Sequence, residues 1–464
     1  MLQGDGRIRS SDASTRVRIA VMAFLCALSF LTYYDRQCIV RAQESIQKAL
    51  AIDDEQMGLV FGAFWLAYAL FEIPGGWMGD RIGARFTITR IVFAWSLFTA
   101  LTGAATGFYS LLMYRFLFGV GEAGAYPNMA RIQSRWLPVA ERARAGGVLW
   151  LCARWGAAFA PLIFGAMTRG ISSVQGSLEA SSTLSWFSSM ASWRIAFFVS
   201  GVFGVVWCLA FYPWFRDDPA EKKTVSAAEL SHIEVGRGAI ETGHGIDAVQ
   251  WARLFSSPSL WAMAMYYFCG SIGWSFFVSW MPRYMKDVQG VAFENSEWSS
   301  ALPLFCGGIA CLVGGVLSDR LIKRSGRRRL GRAIFPVAGC FVAAGAMLAI
   351  PYAGDARSAT ILMCVASFAY DFGQAANWAS IVDIGGRNAG VAMGFINMVG
   401  CLGNAAQPYV GAKVFHAFGW DALFGVYAVA FLLAMSTWAI IDPTRTFYEP
   451  RRGALSSSAG NGAR

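Results

Sequence analysis

Apolar stretches of about 20 residues, the length at which a helix crosses a bilayer, recur along most of this chain, and no other feature limits its fold so tightly. Twelve can be delimited, at 17–36, 56–78, 86–107, 109–131, 144–168, 193–214, 258–284, 297–320, 331–352, 358–382, 388–414 and 420–441. Hydrocarbon offers a backbone amide no hydrogen bond, so repeated stretches of this length predict helices, each satisfied by its own ladder. The 464 residues are 56% hydrophobic and 15% charged, whereas a soluble chain carries about 25% charge. The first stretch is too long, and too poor in a small-residue cleavage site, to be a removable signal peptide; it is expected to stay as a helix. An all-α, multi-pass membrane protein is expected, not a soluble enzyme.

Lysine and arginine in the connecting loops orient such a chain. With the N-terminus inside, 28 of the 39 fall on the cytoplasmic side, and the other side holds only Arg41, Lys48, Arg169, Arg283, Lys286, Arg357 and Lys413. Both termini are therefore expected in the cytoplasm. Topology accounts for the net charge of +10, and no nucleic-acid partner is needed to explain it. Nine of the ten cysteines lie inside the apolar stretches and Cys38 lies just past the first, where they read as small packing residues. With no C-x-x-C and only His232, His244 and His416, no metal site is expected. The absence of a G-x-x-x-x-G-K-S/T phosphate loop argues against an ATP-driven pump. Short loops without glycosylation sequons fit a bacterial inner membrane.

The chain also repeats itself. GGWMGDRIGAR at 75–85 returns as GGVLSDRLIKRSGRRR at 314–329, and a weaker echo pairs 142–165 with 387–411. Each copy of the first motif follows the second apolar stretch of its half. The expected organisation is a six-helix bundle (1–214), a polar cytoplasmic linker (215–257), a second six-helix bundle (258–441) and a cytoplasmic tail (442–464). Parallel repeats of this kind place a substrate site near the midplane between the halves.

The Gly-x-x-x-Asp-Arg pattern at Gly76–Arg81 and Gly315–Arg320 resembles the loop signature of the major facilitator superfamily. YYDR, WLAYALFEIPGGWMGDRIG, RFLFGVGEAGAYPNMARIQSRWLP, ERARA and WRIAFFVSGVFGVVWCLAFYPWFRDDPAEK resemble, more narrowly, its anion:cation symporter family. That family includes bacterial galactonate, glucarate and hexuronate permeases, sialin and the vesicular glutamate transporters. The resemblance implies the major facilitator fold, with twelve transmembrane helices in two pseudo-symmetric bundles. It also implies symport of a small organic anion, such as a sugar acid, by alternating access. No cofactor is expected; a proton gradient supplies the energy. The partners expected are the anion, protons and the lipid bilayer, with the chain acting as a monomer.

Ionisable groups inside spans are costly and turn toward the bundle interior. At about 1.5 Å per residue, Asp35 and Arg115 fall at similar depth in the outer half of the membrane. Glu122, Arg154, Tyr68, Asp371 and Asn397 fall near the middle. Glu122 is two turns from Arg115, on the same helix face. An arginine can fork onto a substrate carboxylate, and protonating Asp35 or Glu122 would release an arginine partner to do so. The resemblance implies that Asp35 and Glu122 are the protonation sites, that Arg115 couples them, and that Arg36 and Tyr68 line the substrate site. Tyr33, Arg154, Asn397, Gln374 and Asn377 complete the expected substrate contacts. Asp80, Arg81, Asp319 and Arg320 are expected to hold a cytoplasmic gate and to take no part in binding.

Each of these residues also has a structural reading. Asp35–Arg36 can cap the first helix at the interface, Arg115–Glu122 can be an interhelical pair, and Arg154 can bond backbone or reach an aqueous cavity. Arg194 reads as an interface anchor, and Tyr33 and Trp155 as packing aromatics. Glu72 and Asp371 are left open between structure and substrate. Cys401 stands where the family pattern suggests a second asparagine, with Asn404 one turn away. Arg154 adds a charge that the galactonate permeases lack at this position, which points to a more acidic substrate, with two carboxylates or a phosphate. The competing functions are proton-driven export of an amphiphilic or drug-like molecule, phosphate or organophosphate transport, and a membrane sensor. The short tail after Ile441 holds no signalling domain for the last.

Overall fold

The computed structural model of the protein describes residues 15–138, 141–178, 189–234, 252, 254–290, 297–385 and 389–446. Most of the expected linker and tail lie outside them. The first half is built from α1 (Val17–Leu50), α2 (Asp54–Ile82), α3 (Ala84–Gly103), α4 (Phe108–Glu122), α5 (Ala125–Trp136), α6 (Arg142–Leu178) and α7 (Ser192–Trp214). A short α8 (Ala227–Glu234) follows. The second half comprises α9 (Pro258–Ser275), a π turn at Phe276–Trp280, α10 (Met281–Asp287), α11 (Glu297–Ser325), α12 (Arg328–Ala349), α13 (Ala356–Phe372), α14 (Gln374–Gly385) and α15 (Ala389–Thr437). The fold is all-α, with no strand among the described residues.

Among the described residues, eight helices are long and apolar enough to cross a membrane. Passages four, seven and ten are interrupted, at Ala123–Gly124, at the π turn and at Gly373. Passages eleven and twelve form the single helix α15, broken at Gly419 (φ 78°). Leu66, Leu70, Phe93, Leu97, Val206, Leu209, Phe341 and Leu433 are exposed. Large apolar residues on the outer faces of long helices match a hydrocarbon surround, not water.

The first helix differs from expectation. It continues past residue 36 to Leu50 and ends where Ala51 turns left-handed (φ 51°). Apolarity stops at the first charge, but arginine, glutamine and glutamate extend a helix almost as well as leucine. Asp35, Arg36 and Gln37 are consequently buried in mid-helix, and Cys38 lies inside α1. Asp35–Arg36 is not an interfacial cap.

Besides smaller contacts of α5 with α15 and of α6 with α14, two extensive helix pairs join the halves: α2 packs on α15 and α6 packs on α11. These are passages two with eleven and five with eight, which exchange when the halves are swapped, as the internal repeat requires. Within the first half, α1 and α6 come into backbone contact. A Cβ on Gly156 would collide with the carbonyl of Phe30 and lie 3.0 Å from its Cα. Small residues are what allow membrane helices to approach this closely. Gly156→Val is expected to cost about 1–3 kcal/mol or more through overpacking, lowering the melting midpoint in detergent. Gly62→Ala, where a Cβ meets nothing within 4 Å, is the neutral control; equal midpoints for the two variants would contradict the contact.

Candidate functional site

Between the halves lies a cavity of about 560 Å³, part of it open to solvent. Its wall follows a helical rhythm, with residues three or four apart presenting side chains on one face. Tyr33 and Arg36 come from α1, Trp65 and Tyr68 from α2, and Trp150 and Arg154 from α6. The second half supplies Tyr267, Ser271 and Trp274 from α9, Tyr370 and Gln374 around the α13–α14 break, and Asn397, Cys401 and Asn404 from α15. Tyr126 of α5 closes the ring, stacked on Trp150 at 5.3 Å and hydrogen-bonded to Ser29 at 3.1 Å.

Arg36 is the most elaborately held cation in this wall. Its Nε donates to Glu122 Oε1 at 2.7 Å. Its guanidinium lies over Tyr68, Tyr33, Trp65 and Phe64 at 4.7–5.4 Å. Its Nη2 and the second Glu122 oxygen are buried with no hydrogen-bond partner among the described residues. An orphaned buried donor beside a cavity is expensive unless something arrives to accept from it. An oxyanion would satisfy it.

The structural alternative in which Arg115 and Glu122 pair is not the arrangement found: Glu122 turns to Arg36. Arg115 instead lies over Phe118 and Phe64, at 4.5 and 5.0 Å. Asp35 is buried within electrostatic reach of Glu122 and Arg115, beside Trp95. It forms no ion pair with Arg115 among the described residues, so their shared depth is not contact.

Arg154 and Asp371 form the second charged pair. Arg154 Nε and Nη2 donate to the two carboxylate oxygens at 2.8 and 2.5 Å. The guanidinium also lies 4.4 Å over Trp274. Because α6 and α13 belong to different halves, this buried fork ties the halves together.

Glu72 has a clear local task. Its Oε2 accepts from the Gly124 N–H at 2.9 Å, and its Oε1 accepts from Asn397 Nδ2 at 2.7 Å. The break between α4 and α5 would otherwise leave a backbone donor unsatisfied in the bundle interior. Gly124 adopts φ 85° and Gly75 packs on it so closely that a Cβ would lie 2.7 Å away. Asn397 lines the cavity while committed to Glu72, and sits 3.5 Å from the Tyr68 hydroxyl. Asn377 is corrected: it is fully buried near Tyr266 and is not part of the cavity wall. Trp155 packs on Phe305 and Phe159. Arg194 anchors the end of α3 by donating to the Gly103 and Ala105 carbonyls at 2.8 and 2.6 Å.

At the other end of the bundle, Asp80 pairs with Arg131 and faces the start of α15, where a Cβ on Gly390 would sit 3.2 Å from its carboxylate. Asp319 accepts from Arg332 Nη1 at 3.1 Å and is within electrostatic reach of Arg144 on α6. Asp80 thus meets the beginning of a helix from the opposite half, where a negative charge is favoured, while Asp319 faces the charge of Arg144 near the start of α6. Trp378 Nε1 donates to Gln133 Oε1 across the same seam at 3.1 Å. Arg81 and Arg320 are exposed, and neither forms an ion pair among the described residues; Arg81 lies over Trp77 at 5.2 Å. The carboxylates of the two motifs make these contacts, while their arginines stay outside. Asp80→Asn is expected to slow uptake about fivefold or more while leaving the KM nearly unchanged. Initial rates across a concentration series check this, and a change confined to KM would count against a gating role.

Sequence reasoning missed Trp65, Tyr126, Trp150, Tyr267, Trp274 and Tyr370. The signal was there: several sit one helical turn from a residue already singled out, such as Trp65 from Tyr68 and Trp150 from Arg154.

Residues 25–408 match the Major Facilitator Superfamily. A probable sulfoacetate transporter of Cupriavidus necator is 32% identical over 448 residues, covering 94% of this chain and 98% of that protein. The D-galactonate transporter of Escherichia coli is 28% identical over 427 residues, covering 90% and 93%. Among solved structures, the fucose:proton symporter of E. coli aligns with a TM-score of 0.66 at 17% identity, covering 91% and 99%. A bacterial homologue of the human lysosomal transporter Spinster aligns at 0.62 with 21% identity, covering 92% and 95%. These two likenesses concern the fold.

Proposed function

The chain belongs to the Major Facilitator Superfamily, among its anion:cation symporter-type members, and from that premise we propose that it carries a small organic anion across a bacterial inner membrane together with protons. The observation that carries the reading is the Arg36–Glu122 pair, with an unpartnered guanidinium nitrogen in the wall of a cavity between the halves. Relatives named for sulfoacetate and for D-galactonate support the substrate class.

The proposed cycle uses only groups already placed. A proton on Glu122 cancels the charge that holds Arg36, and the freed guanidinium forks onto the substrate carboxylate. The aromatic ring around Arg36 keeps water away and strengthens that contact. Asp35, within reach of Glu122 and Arg115, serves as the second proton acceptor. Closure of one seam and opening of the other then expose the cavity to alternate sides.

The test is uptake into proteoliposomes of radiolabelled sugar acids, dicarboxylates, sulfoacetate and phosphate, with and without an inward proton gradient. Gradient-stimulated uptake of a carboxylate or sulfonate is the expected result. Phosphate uptake alone would replace the organic anion with an inorganic one. No stimulated uptake of any of these compounds would remove the proton-symport reading and favour export of an amphiphile.

A further inference from the structure

Resting on the organic-anion reading above, we propose that Arg154–Asp371 is a latch between the halves that opens only for a substrate with a second anionic group, so that this pair selects dianions over monoanions.

The geometry supplies each part. Arg154 lines the cavity, whereas Asp371 is fully buried behind it and is not part of the wall. An entering anion therefore meets the cation of the pair first. Two guanidinium nitrogens are turned to Asp371; Nη1 has no protein partner among the described residues. The two arginines face one cavity, with the ring of Tyr33 and the indoles of Trp150 and Trp274 between them. Arg36 lies 5.0 Å over Tyr33, and Tyr33 meets edge-on both Trp274 (6.2 Å) and Trp150 (6.4 Å), the two rings beneath Arg154. Both arginines line that cavity, so a molecule with acidic groups at both ends has a cation available to each.

The selectivity follows from what each end can replace. A hydroxyl brought to Arg154 cannot substitute for a carboxylate in a buried, two-point ion pair, because removing Asp371 would leave a desolvated cation with a neutral partner. A carboxylate or sulfonate reproduces the fork and can displace Asp371, whose buried carboxylate then takes up one of the co-transported protons and is left neutral. A monoanion consequently occupies Arg36 and leaves the latch closed. A dianion occupies both arginines and severs this contact between α6 and α13. A ligand shifts a two-state equilibrium only through differential contacts with the two states, and here the second anionic group supplies that difference.

The test is titration of the purified full-length protein with two matched pairs, galactarate with galactonate and sulfoacetate with isethionate. In each pair one acidic group is exchanged for an alcohol. Wild type is expected to bind at least one dianion roughly a hundredfold more tightly than its alcohol partner. In the Arg154→Gln/Asp371→Asn double variant that ratio should fall to near one while the monoanion still binds. Removing both charges together avoids an unpaired buried ion, and a wild-type-like melting profile confirms that the variant is folded. Equal affinity of wild type for both members of each pair would overturn the latch, as would a dianion preference that survives in the double variant. Should none of the four compounds bind while the proteoliposomes accumulate another monoanion, this inference fails and the transport reading stands. If binding and uptake are both absent, the transport reading fails as well.

Discussion

Arg36→Gln is expected to abolish anion binding and uptake, weakening them at least about a hundredfold. Arg36 is the only charged residue of α1 in the cavity wall, and its unpartnered nitrogen sits in a cage of four aromatic rings. The single variant strands Glu122, which is fully buried, at a cost of about 3–5 kcal/mol. The paired variant Arg36→Gln/Glu122→Gln removes both charges and separates lost binding from lost folding. Arg36→Lys should fail almost as completely, because an ammonium can neither fork onto a carboxylate nor lie flat against Tyr33 and Tyr68. Binding measured on folded protein decides the matter. Near-wild-type affinity in the paired variant would show that the anion is recognised elsewhere.

Glu122→Gln is expected to uncouple rather than to inactivate. A glutamine carbonyl can still accept from Arg36 Nε, but the position no longer changes charge, so a proton gradient has nothing to act on there. Gradient-driven accumulation should be lost, while exchange of labelled for unlabelled substrate at equal pH persists at a rate within about tenfold of wild type. Asp35→Asn should show the same split. Losing exchange together with accumulation would make Glu122 a positioning residue for Arg36 instead of a proton carrier. Retaining accumulation would place the coupling proton elsewhere; among the described residues, Glu72 and Asp371 are the other buried carboxylates of the central region.

The positions of the buried charges were readable because hydrocarbon imposes a nearly one-dimensional rule: an apolar stretch crosses, and its depth follows from the rise per residue. Asp35, Glu122, Arg154 and Asp371 were found that way. Their partners were not. Depth fixes one coordinate of a side chain and leaves its azimuth around the bundle open, so Arg115 and Asp35 matched in height without pairing. Glu122 took Arg36 from α1, and Arg154 took Asp371 from the opposite half. The limit at residue 36 failed for a related reason, since a hydropathy boundary marks where lipid ends and a helix boundary marks where backbone hydrogen bonding ends.

Glu72 shows the same division at one residue. Its sequence context, FEIPGG, could not reveal that Gly124 breaks the fourth passage beside it and presents an N–H that needs an acceptor. The sequence alone determined the class of protein, the number of passages, the twofold repeat and which charges are buried. All of these follow from the cost of moving polar groups out of water, and that cost is paid residue by residue. Only the tertiary structure decided who pairs with whom: Arg36 with Glu122, Arg154 with Asp371, Asp80 with Arg131 and the start of α15. These contacts join residues tens to hundreds of positions apart, and their geometry is set by how closely glycines such as Gly75 and Gly156 let the helices approach.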